Sequence, residues 1–244
     1  MIRWFVRGVT GRRLTTRYPR AEEPAPAGFR ATATLRPHAV SGEQARALVA
    51  RCLPGALSTD EHDSLTLDGT RCIGCGLCAP TLRIESGYEL ARRAEHATPL
   101  PSPLRRSLHI RHVDAGSDGA VEQEIAALLN PYYDMQRLGL FFTASPRHAD
   151  VLLVTGPVTR PMEAPLRRAF DAMPEPRVVV AAGTDACSGS IWTEPEVLGG
   201  VDRVLPVDVY IPGDPPSPIA LLHGLLLASG RARDAASPVR ESAA

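Results

Sequence analysis

Three cysteines in one short run, Cys72-Ile-Gly-Cys75-Gly-Leu-Cys78, constrain this chain more than any other feature of it. Clustered thiols of this kind read as ligands for a metal or a cluster rather than as a disulfide framework. Two glycines keep the loop tight. Three thiolates on such a loop can bind three corners of an iron–sulfur cubane while nearby backbone amides donate to its sulfurs. The alternatives are a zinc site and a loop of free thiols.

The surroundings of that run bound what it serves. With 244 residues, 44% hydrophobic and 22% charged, the chain can form one large domain or two modest ones. A formal net charge of zero argues against nucleic acid as the partner, because phosphate binding usually shows as a basic excess. All 27 of the Lys+Arg residues are Arg, which favours planar contacts to carboxylates. No segment reaches the roughly 18 uninterrupted apolar residues that span a bilayer. Pro218–Gly230 and Val151–Val158 come nearest and are too short. A long apolar export segment with a cleavage site is missing from the start, so a cytoplasmic location is expected.

Along the chain, residues 1–30 read as a basic, extended arm, with six Arg in the first 20 positions beside Trp4 and Phe5. Such an arm is either a solvated face or a segment that lies on a partner subunit or an anionic membrane surface. A helix is expected over Ser41–Ala50 with Ser41 as N-cap, a strand over Ser64–Leu67, and a helix over Gly87–Glu95. Residues 96–106 carry three prolines in the stretch Pro99-Leu-Pro-Ser-Pro103 and read as a linker between domains 31–95 and 107–230. Beyond it, strands at Leu108–Val113, Leu138–Thr143, Asp150–Thr155, Arg177–Ala182 and Val204–Val209 alternate with helices near Ala120–Leu129, Pro161–Met173 and Pro218–Ala228. Ser217 is placed to cap the last helix. That alternation implies a parallel sheet with right-handed crossovers. Residues 231–244 read as a disordered tail.

The cysteine run lacks its usual fourth member. Leu82 stands where the bacterial pattern places a cysteine, and Pro80-Thr81 arrives about three residues early. In two-cluster ferredoxins each cluster takes its fourth ligand from the other motif. Cys52, 20 residues before Cys72, sits in Cys-Leu-Pro-Gly-Ala-Leu57, which resembles the end of a first ferredoxin motif with Leu53 inserted. Counting back by the motif spacing gives Gly42, Ala45 and Leu48. With Leu82 these are the four ligand places of one cluster, and Cys52, Cys72, Cys75 and Cys78 are the four of the other. The resemblance therefore implies a two-cluster ferredoxin reduced to a single 4Fe–4S cluster. Arg7-Gly-Val-Thr-Gly-Arg-Arg-Leu-Thr-Thr-Arg-Tyr-Pro19 and Pro24-Ala-Pro-Ala-Gly-Phe-Arg30 look like the lead-in of ferredoxin-like subunits of complex I and of group 4 nickel–iron hydrogenases. That likeness covers about Arg3–Ala94.

From Ser107 to Ala228 the chain resembles the B-type subunit of NADH–quinone oxidoreductase and the small subunit of group 4 hydrogenases. The matching stretches are Leu108-His-Ile-Arg-His-Val-Asp-Ala-Gly-Ser117, Asn130-Pro-Tyr-Tyr-Asp-Met-Gln-Arg-Leu-Gly139, Pro146-Arg-His-Ala-Asp-Val-Leu-Leu-Val-Thr-Gly156, Met173-Pro-Glu-Pro-Arg177 and Leu205-Pro-Val-Asp-Val-Tyr-Ile-Pro-Gly213. That family implies a flavodoxin-like α/β fold and a 4Fe–4S cluster beside a large subunit. In complex I it hands electrons to quinone. Here the cluster positions hold Asp118, Val121, Asp185 and Asp214, and Cys187 is two residues out of place. Carboxylates are poor ligands for a cluster that depends on soft thiolate sulfur, so no cluster is expected in this domain. The Asp trio reads either as a hard-metal site for Mg2+ or Ca2+ or as helix caps and Arg partners. Tyr133, Asp134, Met135 and Arg137 match the loop that in complex I lies towards the quinone channel. Packing against the large subunit is the preferred reading of them here, because a quinone has no redox partner in this domain without the adjacent cluster.

The expected whole is an α+β ferredoxin-like domain followed by an α/β flavodoxin-like domain. Its expected function is that of an iron–sulfur electron-transfer subunit of a membrane-associated complex I-like or group 4 hydrogenase-like assembly. The partners would be the large subunit and membrane-arm subunits, holding it at the inner face of the membrane. No acid–base or nucleophile constellation stands out, so the chain reads as a subunit rather than a complete enzyme. The rival reading is a non-redox scaffold whose remaining cluster is structural.

Overall fold

The computed structural model describes residues 6, 8–11, 14–31, 33–34, 40, 42–79, 81–84, 87–97, 100–234 and 240–242. Trp4, Phe5 and the expected cap Ser41 lie outside the described residues.

The C-terminal half follows from strand periodicity. In β8 (Val151–Thr155) and β10 (Val178–Ala182) every residue is buried. Alternate side chains go to opposite faces. Val151, Leu153, Val178, Val180 and Ala182 enter one core, while Leu152, Val154, Val179 and Ala181 enter the other. Strands covered on both sides have this uninterrupted apolar character. With β6 (Leu108–Asp114), β7 (Leu140–Phe142) and β12 (Val209–Ile211) they form a parallel array in the order β7-β6-β8-β10-β12. Numbered among themselves, that is the flavodoxin-like order 2-1-3-4-5. Two short strands, β9 (Val158–Thr159) and β11 (Val197–Gly199), pair antiparallel apart from this sheet. Helix α2 (Ala120–Ala127) and the last helix α5 (Pro218–Ala228) cover one face. Helix α3 (Arg160–Asp171) and the short α4 (Thr184–Ser188) cover the other. Ser217 caps α5 as expected, its Oγ accepting from Ala220 N at 3.3 Å. The last strand begins later than expected, at Val209; a turn of 3-10 helix (Val201–Arg203) precedes it, and Pro206 cannot supply a ladder N–H.

Two expectations about the middle of the chain are corrected. The stretch expected as a helix over Gly87–Glu95 contains instead β5 (Arg92–Arg93), which pairs antiparallel with β12 as a sixth, edge strand. The proline segment 96–106 does not stand free as a linker: Leu100 is 2% exposed, and Leu104 packs on the same core. The physical reason lies in α5. All eleven of its residues are buried, so its outer face needs a cover, and Tyr88, Leu90, Ala91 and Leu100 share its core. His223 of α5 fixes that cover. Its Nδ1 accepts from Ala91 N at 3.2 Å and its Nε2 donates to Arg233 O at 2.9 Å. Burial pushes the His223 imidazole below its ordinary value, keeping it neutral.

The N-terminal half builds a smaller lobe. Helix α1 (Gly42–Arg51) packs on the hairpin β2 (Leu57–Thr59) and β3 (Leu65–Asp68), and β1 (Ala33–Thr34) pairs antiparallel with β4 (Arg83–Ile84). Parts of the expected arm and tail are tied to the body, the arm from Thr15 onward. Thr16 N donates to Tyr132 O, Tyr18 is 1% exposed, and Arg137 Nη2 donates to Thr16 O and Tyr18 O at 3.0 and 2.7 Å. At the other end Arg231 Nη1 donates to Leu138 O at 2.6 Å, and residues 240–242 form a strand, β13 (Arg240–Ser242), on β3.

Arg137→Ala removes two charge-assisted bonds and should cost about 1–3 kcal/mol. Limited proteolysis checks this: cleavage before residue 30 should accelerate while the C-terminal body stays intact. Unchanged cleavage would mean that Arg137 does not hold the arm.

Candidate functional site

The four expected cysteine ligands come together. Cys52 leaves the end of α1 into the turn Cys52-Leu-Pro-Gly55, closed by Gly55 N donating to Cys52 O. The loop carrying Cys72, Cys75 and Cys78 follows β3. Two bonds tie the segments: Asp68 N donates to Ala56 O at 2.8 Å, and Arg71 Nε donates to Pro54 O at 2.9 Å. The sulfur-bearing residues then line one cavity with Leu48, Leu57, Leu67, Ile73 and Leu77. Cys72 is buried, Cys52 and Cys78 are half-buried, and Cys75 reaches solvent. No two of them form a disulfide.

The loop glycines are there for close approach. Gly74 has φ +65°, and a Cβ on it would lie 2.8 Å from Ala31 O. Gly76 has φ +76°, and a Cβ there would meet Arg30 Nη1 at 2.6 Å, the same Nη1 that donates to Cys75 O. The left-handed conformation favours glycine at both positions, and at Gly74 the backbone contact requires it as well. Burial pushes the Cys78 thiol up, with further contributions from Cys72, Cys75 and Cys52, so each of the other sulfurs is felt at Cys78.

The positions expected to have lost the second cluster also have a place. Ala45, Leu48 and Leu82 are buried in one apolar cluster with Leu65, Leu67 and Cys72. Gly42 is separate, since a Cβ on it would meet Asp63 at 3.3 Å. Packed side chains now fill the ground between α1 and the cysteine loop.

The donor set suits an iron–sulfur cubane: four soft sulfurs, an apolar wall, and Arg51 as the one charged side chain lining the cavity among the described residues. Among those residues no three of His, Cys, Asp or Glu have the arrangement of a single-ion site. A cubane does not require one, because its thiolates bind four different irons.

The positions expected to have lost a cluster in the C-terminal body lie at the carboxyl ends of the parallel strands, where open α/β sheets hold ligands. Asp118 follows β6, Asp185 follows β10 and Asp214 follows β12. Val121 is buried against Gly183, where an added Cβ would meet Val121 Cγ2 at 2.8 Å. Burial first, then the charges of Asp214 and Asp118, push the Asp185 carboxyl above its ordinary range, against the opposing pull of polar contacts with Trp192 and Ser190. Partial burial and then Asp118 do the same to Asp214, although much of that residue meets solvent. Asp118 accepts from Ala120 N at the start of α2. The trio is not among groups arranged to hold a cation. Cys187 lies outside the cysteine cavity; burial raises its thiol, which donates to Ala181 O at 3.5 Å.

Several residues at these sites carry no signal of their own in the sequence. Thr184 is fully buried between the two halves. Arg30 and Arg71 look like two among many surface arginines. Glu122 accepts from the hydroxyls of Ser117 and Thr155, and His112 Nε2 bonds Thr155 Oγ1 at 2.9 Å beneath the strand-order switch. Of the loop matched to a quinone channel, Met135 is core and Arg137 holds the arm.

A six-stranded, mostly parallel sheet with its polar turns at the strand ends defines an α/β subunit with a ligand-type crest. Residues 119–228 match the family described as NADH ubiquinone oxidoreductase, 20 Kd subunit. Formate hydrogenlyase subunit 7 of Escherichia coli is 44% identical over 128 residues, 52% of this chain and 50% of that one. The probable membrane-bound hydrogenase subunit mbhJ of Pyrococcus furiosus is 44% identical over 126 residues, 51% of this chain and 75% of its own. The B-type subunit of NADH-quinone oxidoreductase from Desulfovibrio desulfuricans is 48% identical over 103 residues, 42% and 56% of the two chains. The chain therefore belongs to the 20 Kd subunit family of NADH ubiquinone oxidoreductase through its C-terminal half. It spans about half the length of the formate hydrogenlyase and quinone oxidoreductase relatives. Among solved structures, the archaeal membrane-bound sulfane sulfur reductase matches 52% of this chain and 71% of its own at 31% identity, with a TM-score of 0.47.

The raised Asp185 carboxyl gives a pH test. The folded state keeps this proton to higher pH than the unfolded chain, so stability falls as pH rises from the ordinary carboxylate range through the raised value. Asp185→Asn removes this titrating group and should flatten that slope. Urea midpoints measured across the window should fall with rising pH in the wild type and fall less steeply in the variant, where Asp214 and Asp208 still titrate above the ordinary range. Parallel curves would sink the idea.

Proposed function

We propose that the chain is an iron–sulfur electron-transfer subunit of a membrane-associated complex I-like or group 4 hydrogenase-like oxidoreductase, holding one 4Fe–4S cluster on Cys52, Cys72, Cys75 and Cys78. The observation that carries this is the shared cavity: two segments 20 positions apart deliver four sulfurs to one apolar hollow. When bound, the cluster accepts and passes single electrons. The chain's own residues orient the ligands through Arg71 and Asp68, limit water through Leu48, Leu57 and Leu67, and leave Cys75 at the surface. The pairing of β1 with β4 at the two ends of the lobe, with α1 and the cysteine loop between them, supports the ferredoxin-like reading of residues 31–95. On this reading the C-terminal body docks to a large subunit and to membrane-arm subunits, with the protein on the cytoplasmic face of the membrane. No helix among the described residues is long and apolar enough to cross a membrane.

The scaffold reading draws on a specific observation, Asp118, Val121, Asp185 and Asp214 in place of the family's cluster ligands. A body without its own cluster can persist because the assembly needs its shape. The two readings part on the redox behaviour of the N-terminal cluster.

Anaerobically purified protein should contain about four irons and four sulfides per chain, with an EPR signal on reduction. Cys52→Ser and Cys75→Ser should each lose most of the iron, whereas Cys187→Ser should keep all of it. Full iron and an unchanged signal in Cys52→Ser would remove Cys52 from the ligand set. A cluster that stays oxidised at every potential supplied by the partner complex would favour the scaffold.

A further inference from the structure

The cysteine loop does not merely neighbour the C-terminal body; it stands on the turns where that body lacks its family's cluster ligands. Thr184, between Gly183 and Asp185, is completely buried. Its backbone N donates to Gly213 O at 2.8 Å, and Gly213 N donates back to Thr184 Oγ1 at 3.1 Å. Gly213 immediately precedes Asp214. Because the hydroxyl oxygen accepts from Gly213, its own proton is available elsewhere, and it points to Cys72 O at 3.4 Å. One buried hydroxyl thus joins the turns carrying Asp185 and Asp214 to the first cysteine of the N-terminal loop.

We propose that Thr184 is a positioning residue for the N-terminal cluster, fixing through Cys72 O the peptide that links Cys72 to Ile73. This rests on the four-cysteine reading above. The peptide unit is planar, so holding the Cys72 carbonyl in one direction sets the opposite direction of the Ile73 N–H. Ile73 lines the same cavity as the four cysteines. Backbone amides that donate to cluster sulfur stabilise the more negative, reduced state and raise the reduction potential. A hydroxyl on the C-terminal body therefore tunes a cluster held by the N-terminal lobe. The bond is long for a hydroxyl donor, so its effect is on orientation and potential rather than on holding the lobes together.

The test uses the full-length protein purified anaerobically, as wild type, Thr184→Val and Thr184→Ser. Iron content, the EPR spectrum of the reduced state, the midpoint potential and the rate of iron loss to a chelator are read for each. Thr184→Val keeps the shape and loses the hydroxyl. It should retain its iron, shift the potential negative, alter the EPR line shape and lose iron several-fold faster. Thr184→Ser should restore the wild-type values. Should the valine variant not fold, Thr184→Ala removes the same bond without the second methyl group and is compared with Thr184→Ser. Equal potentials in all variants, or a shift in Thr184→Ser as large as in Thr184→Val, overturn the proposal. A wild type without iron overturns the four-cysteine reading instead, so the two failures are separable.

Discussion

The requirement that both faces of the central parallel sheet be covered organises the whole molecule. β8 and β10 place apolar side chains on both sides, and exposure of either side would put a continuous hydrophobic surface in water. One face is closed by α3 and α4. The other receives α2 and α5, and α5 is itself apolar all round. A helix like that cannot end the structure, so Tyr88, Leu90, Ala91 and Leu100 pack over it, and β5 adds to the sheet edge beside β12. Gly224 makes the fit possible, since a Cβ there would collide with Ile211 at 2.2 Å.

That cover has consequences for the site. The segment over α5 begins just after β4, so the small lobe is anchored to the body a few residues from its own end. Contacts between the loop 130–137 and residues 15–30 anchor it from the other side: Thr15 Oγ1 donates to Pro131 O at 2.9 Å, and Arg137 clasps two carbonyls. With both ends held, the cysteine loop rests against α4. The charge of Asp68, just before the loop, is accordingly felt at Cys187 and Tyr210 of the body.

The two sets of positions that the family resemblance marks differ in character. Three of those in the N-terminal lobe, Ala45, Leu48 and Leu82, are core. Three of those in the C-terminal body are Asp at the strand ends, where burial and neighbouring charge raise two of their carboxyls. Apolar replacement closes a hollow, whereas carboxylates keep a polar crest facing outward. The hydroxyl of Thr184 makes a polar bridge from that crest to the cysteine loop.

Much of this was legible from one sequence, because strand and helix periods are local. The runs Val151–Thr155 and Val178–Ala182, the capped helix at Pro218 and the three-cysteine loop all declare themselves within a few residues. Pattern spacing also singled out Cys52, and it does line the cavity. What local periods do not encode is which surfaces meet. Residues 87–95 look helical until α5 demands a cover and the edge of β12 offers a partner. The prolines of 96–106 look like a linker until Leu100 is buried. Thr16 and Tyr18, in a stretch rich in arginine, look solvated until Arg137 meets their carbonyls. Thr184 is an ordinary threonine in the sequence, and only the folded chain, by burying it between two turns and a cysteine carbonyl, gives it a position to hold.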